Sequence, residues 1–254
     1  MRYEVISRAF HNGFSQVRDG VLHLVWPSVC LCCQEPVHDV QYGLCPECWR
    51  QLLVDACTPA CPTCGGSASV YGLIDGRCPR CLGRPWFLDG VSRCGIYHGV
   101  MKDLILAFKH GHTELDRALG HLLNQALAGS RFLSELDCIV PVPLHWSRRL
   151  LRGFNQSAVM ARACRPAKIP VIHTLKRIRR TRPQPVVENL KARSRNVAGA
   201  FALRGRRDLA GRTICLIDDI RTTGATLNEC ARVLREQGRV ARVYALVLAV
   251  TECR

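Results

Sequence analysis

The sequence predicts an α/β fold, with a mostly parallel sheet and flanking helices, preceded by a small cysteine-rich module. From residue 91 onward, apolar stretches of strand length alternate with segments of helical periodicity. Before residue 86, Cys, Pro and Gly largely replace that hydrophobic pattern. The predicted organisation is therefore a helical lead-in over residues 1–29, a metal-bound module over 30–85 and an α/β domain over 86–254.

Composition limits the class of protein and its partners. Hydrophobic residues make up 48% of the 254 positions, which is enough for a packed core and excludes global disorder. No apolar run approaches the roughly 18–20 residues of a membrane span, and the first residues lack the pattern of a signal peptide. We therefore expect a cytoplasmic protein without membrane insertion.

The net charge of +16 is concentrated in one part of the chain. Between Arg148 and Arg212 there are 18 Lys and Arg residues against only Glu188 and Asp208. A surface of this kind attracts phosphate groups. Charge alone leaves open whether those phosphates belong to nucleic acid or to a small molecule, or whether the segment is simply a solvated basic face.

Eight of the 16 cysteines form four C-x-x-C pairs within residues 30–81. Disulfides are rare in a reducing compartment, so these pairs need another explanation. A C-x-x-C turn places two thiolates on one side of a tight loop, and two such turns complete a four-sulfur zinc shell. The pattern therefore predicts two zinc sites, since a redox dithiol would need one pair rather than four.

Chain order suggests how the eight cysteines divide, although a crossed arrangement is also possible. The sequential pairing predicts two zinc clusters. The first zinc cluster contains Cys30, Cys33, Cys45 and Cys48. The second zinc cluster contains Cys61, Cys64, Cys78 and Cys81. Cys32 breaks the two-residue spacing from Cys30 and is a poorer ligand. A closed four-thiolate shell has no position for water, so the zinc is structural. We expect chelation to disorder residues 30–81 while ligand binding by the α/β domain is retained.

The elements of the α/β domain follow from periodicity. Strands are expected over residues 91–97, 138–142, 213–217 and 240–250. Helices are expected over 100–110, 114–127, 155–164 and 226–236. Residues 174–200 carry many charges and two prolines, which predicts a long loop flanked by short ordered pieces.

Residues 214–226 are the most informative stretch of the α/β domain. An apolar strand leads to Asp218 and Asp219, and a short threonine- and glycine-containing loop then enters a helix. Backbone N–H groups at a helix N-terminus suit a phosphate. The carboxylates would repel a phosphate, so they should face ribose hydroxyls or Mg²⁺. Arg221 lies inside the segment and could sit near a ligand or turn to solvent.

This segment resembles the phosphoribosyl-diphosphate (PRPP) signature of type I phosphoribosyltransferases. The resemblance implies that Asp218 and Asp219 hold the ribose 2′- and 3′-hydroxyls. It also implies a loop that surrounds the 5′-phosphate, formed by Thr222, Thr223, Gly224, Ala225 and Thr226. The alternative from the residues alone is an ordinary strand–turn–helix with an N-cap.

Further segments resemble the ComF/GntX family in the family's own order: residues 108–111 with Lys109, 140–144, 152–156, 177–184 and 193–201. Together with the zinc-ribbon prefix, the resemblance extends over residues 27–250. It implies a double zinc ribbon before a type I phosphoribosyltransferase-like domain, and a link to natural competence, the uptake and handling of incoming DNA.

The resemblance assigns two more roles. Pro143 and Leu144 correspond to the loop that binds diphosphate. Residues 177–200 correspond to a mobile catalytic lid that closes over PRPP and excludes water. The candidate lid residues are Arg177, Arg179, Thr181 and Gln184. A solvated basic loop that adds only solubility is the alternative.

Three functions remain open at this point. The chain is expected to be a PRPP-dependent transferase with an unidentified acceptor, a single-stranded DNA-binding accessory protein, or a PRPP sensor without turnover. The expected ligands and partners are PRPP with Mg²⁺, single-stranded DNA and proteins of the competence machinery. Aromatic residues make up only 6% of the chain, so few side chains are available to stack on the bases of single-stranded DNA. We expect Trp49, Trp86 and Trp146 to pack in the core or at an interface.

Overall fold

The structure is a computed structural model. It describes residues 29–37, 41–83, 85–146, 150, 153–164, 169–181, 190–205 and 208–252. The helical lead-in expected over residues 1–29 lies outside the described residues apart from Val29. Within the described part of the chain, no helix is long and apolar enough to cross a membrane.

A four-stranded parallel sheet forms the centre of the α/β domain. The strands in chain order are β1 (Gly90–Ile96), β2 (Cys138–Pro141), β3 (Leu175–Arg177), β4 (Phe201–Leu203), β5 (Thr213–Arg221) and β6 (Arg242–Val250). The main sheet has the order β1-β6-β5-β2, and β3 pairs with β4 in a separate antiparallel ribbon. The central strands β5 and β6 are apolar because helices or β-structure cover both of their faces. Parallel pairing brings the carboxyl ends of β2, β5 and β6 to one edge.

Helices cover the two faces of the sheet. They are α1 (Pro46–Ala56), α2 (Gly99–Lys109), α3 (Asp116–Ala128), α4 (Gln156–Ala163), α5 (Leu190–Val197) and α6 (Ala225–Gly238). The four helices α1, α2, α3 and α4 form one hydrophobic core with one face of the sheet. Helix α6 and the β3–β4 ribbon form a second core with the other face. The α/β class with a mostly parallel sheet is therefore confirmed.

The expectation of a metal-held module without regular structure missed α1. Pro46 occupies the first turn of this helix, and Sγ of Cys45 accepts a hydrogen bond from the Cys48 N–H at 3.4 Å. The helix buries Trp49 and Leu52 against the α/β domain. A proline directly after a cysteine was the available signal.

The loop expected over residues 174–200 contains β3 and α5, so that expectation was wrong in part. Helix α5 is mostly polar, and Val197 is buried. Its apolar residues are too few to show a helical period in the sequence. The predicted strand over 213–217 also continues further, through both carboxylates to Arg221. Asp218 pairs with Val247 and Ile220 with Ala249, because β6 is long enough to extend the ladder.

Helices α3 and α4 cross at Gly120 with no room for a side chain. A Cβ at Gly120 would stand 2.8 Å from the Ala163 Cβ and 2.9 Å from the Ala163 carbonyl oxygen. Two of the atoms in contact belong to the Ala163 backbone, so neither a rotamer change nor a small shift relieves the overlap. Glycine at this position therefore sets the distance between the two helices.

Gly120→Ala should lower the free energy of unfolding by about 1–3 kcal/mol, because overpacking outweighs the gain in helix propensity. Gly129→Ala is the matched control, since a Cβ there would meet only the Gln125 carbonyl oxygen at an ordinary 3.6 Å. Urea unfolding measures both. Equal stability of the two variants would contradict this account of the helix crossing.

Candidate functional site

A pocket lies at the carboxyl end of β5, where the strand passes into α6. It is open to solvent, contains about 210 Å³ of empty space when the open part is included, and is lined by Asp218 and residues 220–227. The described lining thus comes from one continuous segment that contains the end of β5, a short loop and the first turn of α6. The segment singled out by the sequence is the wall of a pocket.

Each of the two adjacent carboxylates in this segment has its own partner. The Ser157 hydroxyl of α4 donates to Oδ1 of Asp218 at 3.0 Å. Nζ of Lys109, the last residue of α2, lies 2.6 Å from Oδ2 of Asp219. The Lys109 and Asp219 side chains are only 19% and 18% exposed, so this ion pair is largely shielded from solvent. Two helices therefore hold the carboxylates and offset part of their charge.

The surroundings of the Asp218 carboxyl change its pKa. Burial raises the pKa of Asp218, and the neighbouring Asp219 charge raises it further, to about 7. The Asp219 N–H, the Ser157 hydroxyl and Lys109 oppose the rise. Near neutral pH the pair therefore carries less negative charge than two free carboxylates, which reduces its repulsion of a phosphate.

The loop before α6 requires glycine at position 224. Gly224 has φ of +80° and caps the helix, and a Cβ there would stand 2.7 Å from the Trp86 ring. Oγ1 of Thr223 accepts from the Ala225 N–H at 3.3 Å. The positive end of the 14-residue helix α6 thus lies at the pocket, where an anion is favoured.

The eight C-x-x-C cysteines form two clusters, in the sequential pairing rather than the crossed one. Within each cluster all four sulfurs lie within 4.8 Å of one another. The Sγ···Sγ distances include 3.8 Å for Cys30–Cys48 in the first cluster and 3.6 Å for Cys78–Cys81 in the second. A tetrahedron with Zn–S bonds of about 2.3 Å has edges of about 3.8 Å. Both clusters therefore fit structural zinc.

Backbone N–H groups favour the thiolate form that zinc needs. Burial raises the pKa of Cys30, but the N–H groups of Cys45, Cys33 and Cys32 bring it down to about 6. In the second cluster, burial likewise opposes the hydrogen bonds that lower the pKa of Cys78 to about 7. In contrast, burial raises the pKa of Cys32 to about 11, and its sulfur faces the Val100 carbonyl at 3.9 Å. Cys32 is outside the first cluster.

Arg221 lines the pocket but does not turn to solvent. It is only 7% exposed, and Nη1 donates to the Thr222 carbonyl at 2.9 Å. Its guanidinium extends towards the second zinc cluster, where it opposes the increase that burial causes in the pKa of Cys64. Of the two positions that the sequence left open for this side chain, its burial excludes the one turned to solvent.

The lid candidates are held in the β3–β4 unit. Arg177 hydrogen-bonds Oγ1 of Thr181 and stacks over the Phe201 ring at 5.1 Å. Arg179 donates to the Asn196 and Ala198 carbonyls at 3.0 and 2.8 Å. Gln184 lies outside the described residues. The structure thus groups three of the four lid candidates, none of which is part of the pocket lining.

The predicted diphosphate loop follows β2, next to β5 in the sheet. The Val142 N–H donates to the Ile217 carbonyl at 3.0 Å, and Pro143 and Leu144 come next, half-buried. Neither residue is part of the pocket lining. Trp146 is 67% exposed, which excludes the core and leaves the interface as the other expected place for it.

Two residues of the site were not predicted from the sequence. Ser157 reaches Asp218 from a helix 61 positions earlier, and nothing in its local sequence indicated this. Trp86 covers Gly224 from a position still further back in the chain. A glycine beside the two threonines did indicate a close approach at position 224, although not what approaches.

Comparison with known proteins agrees with this architecture. The double zinc ribbon domain family matches residues 21–82. Competence protein F of Haemophilus influenzae is 31% identical over 82% of this chain and 91% of its own length. The DNA utilization protein YhgH of Escherichia coli is also 31% identical, over 86% of this chain and 95% of its own.

Similarity to solved structures is more distant. The hypoxanthine phosphoribosyltransferase of Trypanosoma cruzi aligns with a TM-score of 0.33 and 16% identity, over 54% of this chain and 67% of that protein.

The parallel sheet, the carboxylate pair at its edge and the two cysteine clusters define the class: an α/β domain with a mostly parallel sheet and a double zinc ribbon at its N-terminal side. With 31% identity to Competence protein F over most of both chains, the protein belongs to the ComF family.

The neighbouring cysteines 32 and 33 give a matched test of the first cluster. Cys33→Ser should leave the chain with one tightly held zinc, because three thiolates retain the ion poorly. Cys32→Ser should keep two. Atomic emission of protein dialysed against a mild chelator gives the zinc-to-protein ratio, and equal zinc loss from the two variants would contradict the ligand set.

Stability should fall with rising pH because of Asp218. The folded-state pKa is raised above the unfolded value, so the stabilisation is complete below the unfolded pKa and is lost as pH rises through about 7. Between the unfolded and folded pKa values, each unit of pH changes the free energy of unfolding by about 1.4 kcal/mol. Urea unfolding between pH 5.5 and 8 should show a decrease for the natural chain and a flatter profile for Asp218→Asn. Parallel profiles would contradict the raised pKa.

Proposed function

We propose that the pocket at the end of β5 binds PRPP, with its 5′-phosphate in the loop over residues 222–226. The observation that carries this is the pocket wall in which Asp218, the neighbour of Asp219, is followed by the loop and the N-terminus of α6. A helix N-terminus attracts a phosphate, and adjacent carboxylates accept hydrogen bonds from a ribose diol. One segment thus offers groups for both parts of a ribose phosphate.

The charge arrangement supports the same ligand. Asp219 is paired with Lys109, and the Asp218 carboxyl is hydrogen-bonded by Ser157. An unpaired double carboxylate would repel PRPP, whereas this pair presents oxygens with much of their charge offset. Mg²⁺ bound with PRPP would bridge ribose hydroxyls and diphosphate oxygens, and supply positive charge to the leaving group.

The segment over residues 177–200 is proposed as the lid, with Arg177, Arg179, Thr181 and Gln184 as its working residues. Its base is fastened to the domain: the Ile178 N–H donates to the Ala200 carbonyl at 2.9 Å, and the Gly199 N–H donates to Glu229 of α6 at 2.7 Å. A cationic lid anchored at both ends would return to the same position over the pocket. Pro143 and Leu144, in the loop after the neighbouring strand, are proposed to contact the diphosphate.

In a transferase reaction, the acceptor would form a bond to the anomeric carbon while the bond to diphosphate breaks and its electron pair leaves with the diphosphate. The chain's own contribution would be positioning, electrostatic stabilisation of the departing diphosphate and exclusion of water. The acceptor is unidentified.

We further propose that the protein acts in the handling of incoming DNA in the cytoplasm, together with proteins of the competence machinery. This proposal follows from the names of the relatives and from the basic stretch between residues 148 and 212. Single-stranded DNA binding is a second candidate function. The exposed indole of Trp146, adjacent in sequence to that stretch, favours it because exposed aromatic rings stack on bases.

Isothermal titration calorimetry with PRPP and Mg²⁺ tests the proposed ligand. The double variant Asp218→Asn with Asp219→Asn should bind at least about 10-fold more weakly, because charged hydrogen bonds contribute about 1.5–3 kcal/mol each. Asp208→Asn, at an exposed carboxylate away from the pocket, is the matched control and should bind normally. No heat of binding by the natural zinc-loaded chain would contradict the proposal.

Diphosphate release separates the remaining functions. Release from PRPP that the double variant loses indicates a transferase, whereas binding without release indicates a sensor. Fluorescence anisotropy with single-stranded DNA tests the second candidate: Trp146→Ala should weaken binding by about 1–3 kcal/mol if the indole stacks on a base. DNA affinity that Trp146→Ala leaves unchanged would contradict that candidate.

A further inference from the structure

The second zinc cluster and the phosphate loop meet at Gly66. A Cβ at Gly66 would stand 3.1 Å from Nη2 of Arg221, 3.4 Å from Sγ of Cys64 and 3.4 Å from Nη2 of Arg80. The Arg221 and Cys64 atoms are therefore no more than about 6.5 Å apart. Arg221 is also the residue that ends β5 and starts the loop, so one residue belongs to both sites.

The charges of the two partners are complementary. Four thiolates around Zn²⁺ carry a net double negative charge. Buried cations close to such a cluster stabilise it and would be costly without it. Arg221 and Arg93 are each 7% exposed, and Nε of each donates to no acceptor within the described residues. The negatively charged cluster beside Arg221 explains why its buried guanidinium group is tolerated, whereas Arg93 also has the carboxylates of Glu252 and Asp55 near it.

Trp86 provides a second connection between the cluster and the loop. Its ring packs against the cysteines of the second cluster, and two of its carbons stand 2.7 and 2.9 Å from the position of a Cβ on Gly224. The glycine that caps α6 thus rests on an indole that rests on the zinc ribbon. The loop is held on this side by the ribbon rather than by its own domain.

The ribbon is also attached to the sheet, which makes the contact a fixed one. The Val91 N–H of β1 donates to the Pro62 carbonyl at 3.0 Å, and Arg93 donates to the Thr58 hydroxyl at 2.8 Å and to the Ser67 hydroxyl at 3.1 Å. Residues on both sides of the Cys61–Cys64 turn are therefore tied to β1. Movement of this turn would be transmitted to Arg221.

We propose that the second zinc cluster is a structural part of the ligand pocket, and that Arg221 is the positioning residue that couples zinc occupancy to the conformation of the phosphate loop. The claim that this pocket binds the ligand rests on the proposed function, whereas the coupling between the second zinc cluster and the phosphate loop does not. It replaces the expectation that removal of the metal would leave ligand binding intact.

The first cluster supplies the internal control. It is part of the core on the other face of the sheet, and its ligand Cys33 is exposed, whereas all four cysteines of the second cluster are buried. Emptying the first cluster should therefore leave the phosphate loop unaffected.

Hydrogen–deuterium exchange of the full zinc-loaded chain tests the coupling without any ligand. In Cys81→Ser, which empties the second cluster, amides in residues 218–227 should exchange at least about 10-fold faster than in the natural chain. In Cys48→Ser, which empties the first cluster, they should exchange at the natural rate. Equal exchange of this segment in the two variants would overturn the proposal.

Zinc release to a chromogenic chelator tests the role of Arg221 itself. Arg221→Met keeps the length of the side chain and removes its charge, and should speed release of one of the two zinc equivalents by about 10-fold or more. Arg117→Met, at an exposed arginine of α3, should release both at natural rates. Natural release rates in Arg221→Met would show that Arg221 does not support the cluster.

Calorimetry with PRPP and Mg²⁺ tests whether the coupling affects ligand binding. Weaker binding by Arg221→Met than by Arg117→Met supports the coupling, and equal affinity contradicts it. A natural chain that binds no PRPP contradicts the proposed function alone, because the exchange and zinc-release measurements still decide whether cluster and loop are coupled.

Discussion

Two adjacent carboxylates at the end of a buried strand repel one another and repel any phosphate, and the rest of the site depends on how that charge is offset. Lys109 comes from α2 and Ser157 from α4, so the helices on one face of the sheet must dock correctly before the pair is tolerable. The α6 dipole and the loop amides come from the other side. The pocket is consequently a product of the whole α/β domain, although a single segment lines it.

The zinc ribbon contributes to the same site from outside that domain. A segment with few apolar side chains cannot hold itself together by burial, so metal binding supplies its folding free energy. Once folded, the ribbon contacts the loop through Arg221 and Trp86 and pairs with β1 at Val91. The zinc ribbon, which precedes the α/β domain in the sequence, is thus packed against the loop that leads into α6.

The sequence predicted what local patterns determine. The period of apolar residues located the strands and helices of the sheet, and cysteine spacing grouped the two clusters. It missed α5 because that helix buries almost no apolar surface, and it ended β5 too early because sheet pairing with β6, not residue preference, extends the strand through Asp218 and Asp219. Ser157 and Trp86 reach the site from distant positions, and such contacts become visible only when the chain is folded.

A crystal structure of the zinc-loaded chain with PRPP and Mg²⁺ tests the central assignment most directly. The account predicts the terminal phosphate within hydrogen-bond distance of backbone N–H groups of residues 222–226, and ribose hydroxyls on Asp218 and Asp219. A ligand bound elsewhere, with this loop closed against Trp86 and the carboxylates still engaged only by Lys109 and Ser157, would contradict it.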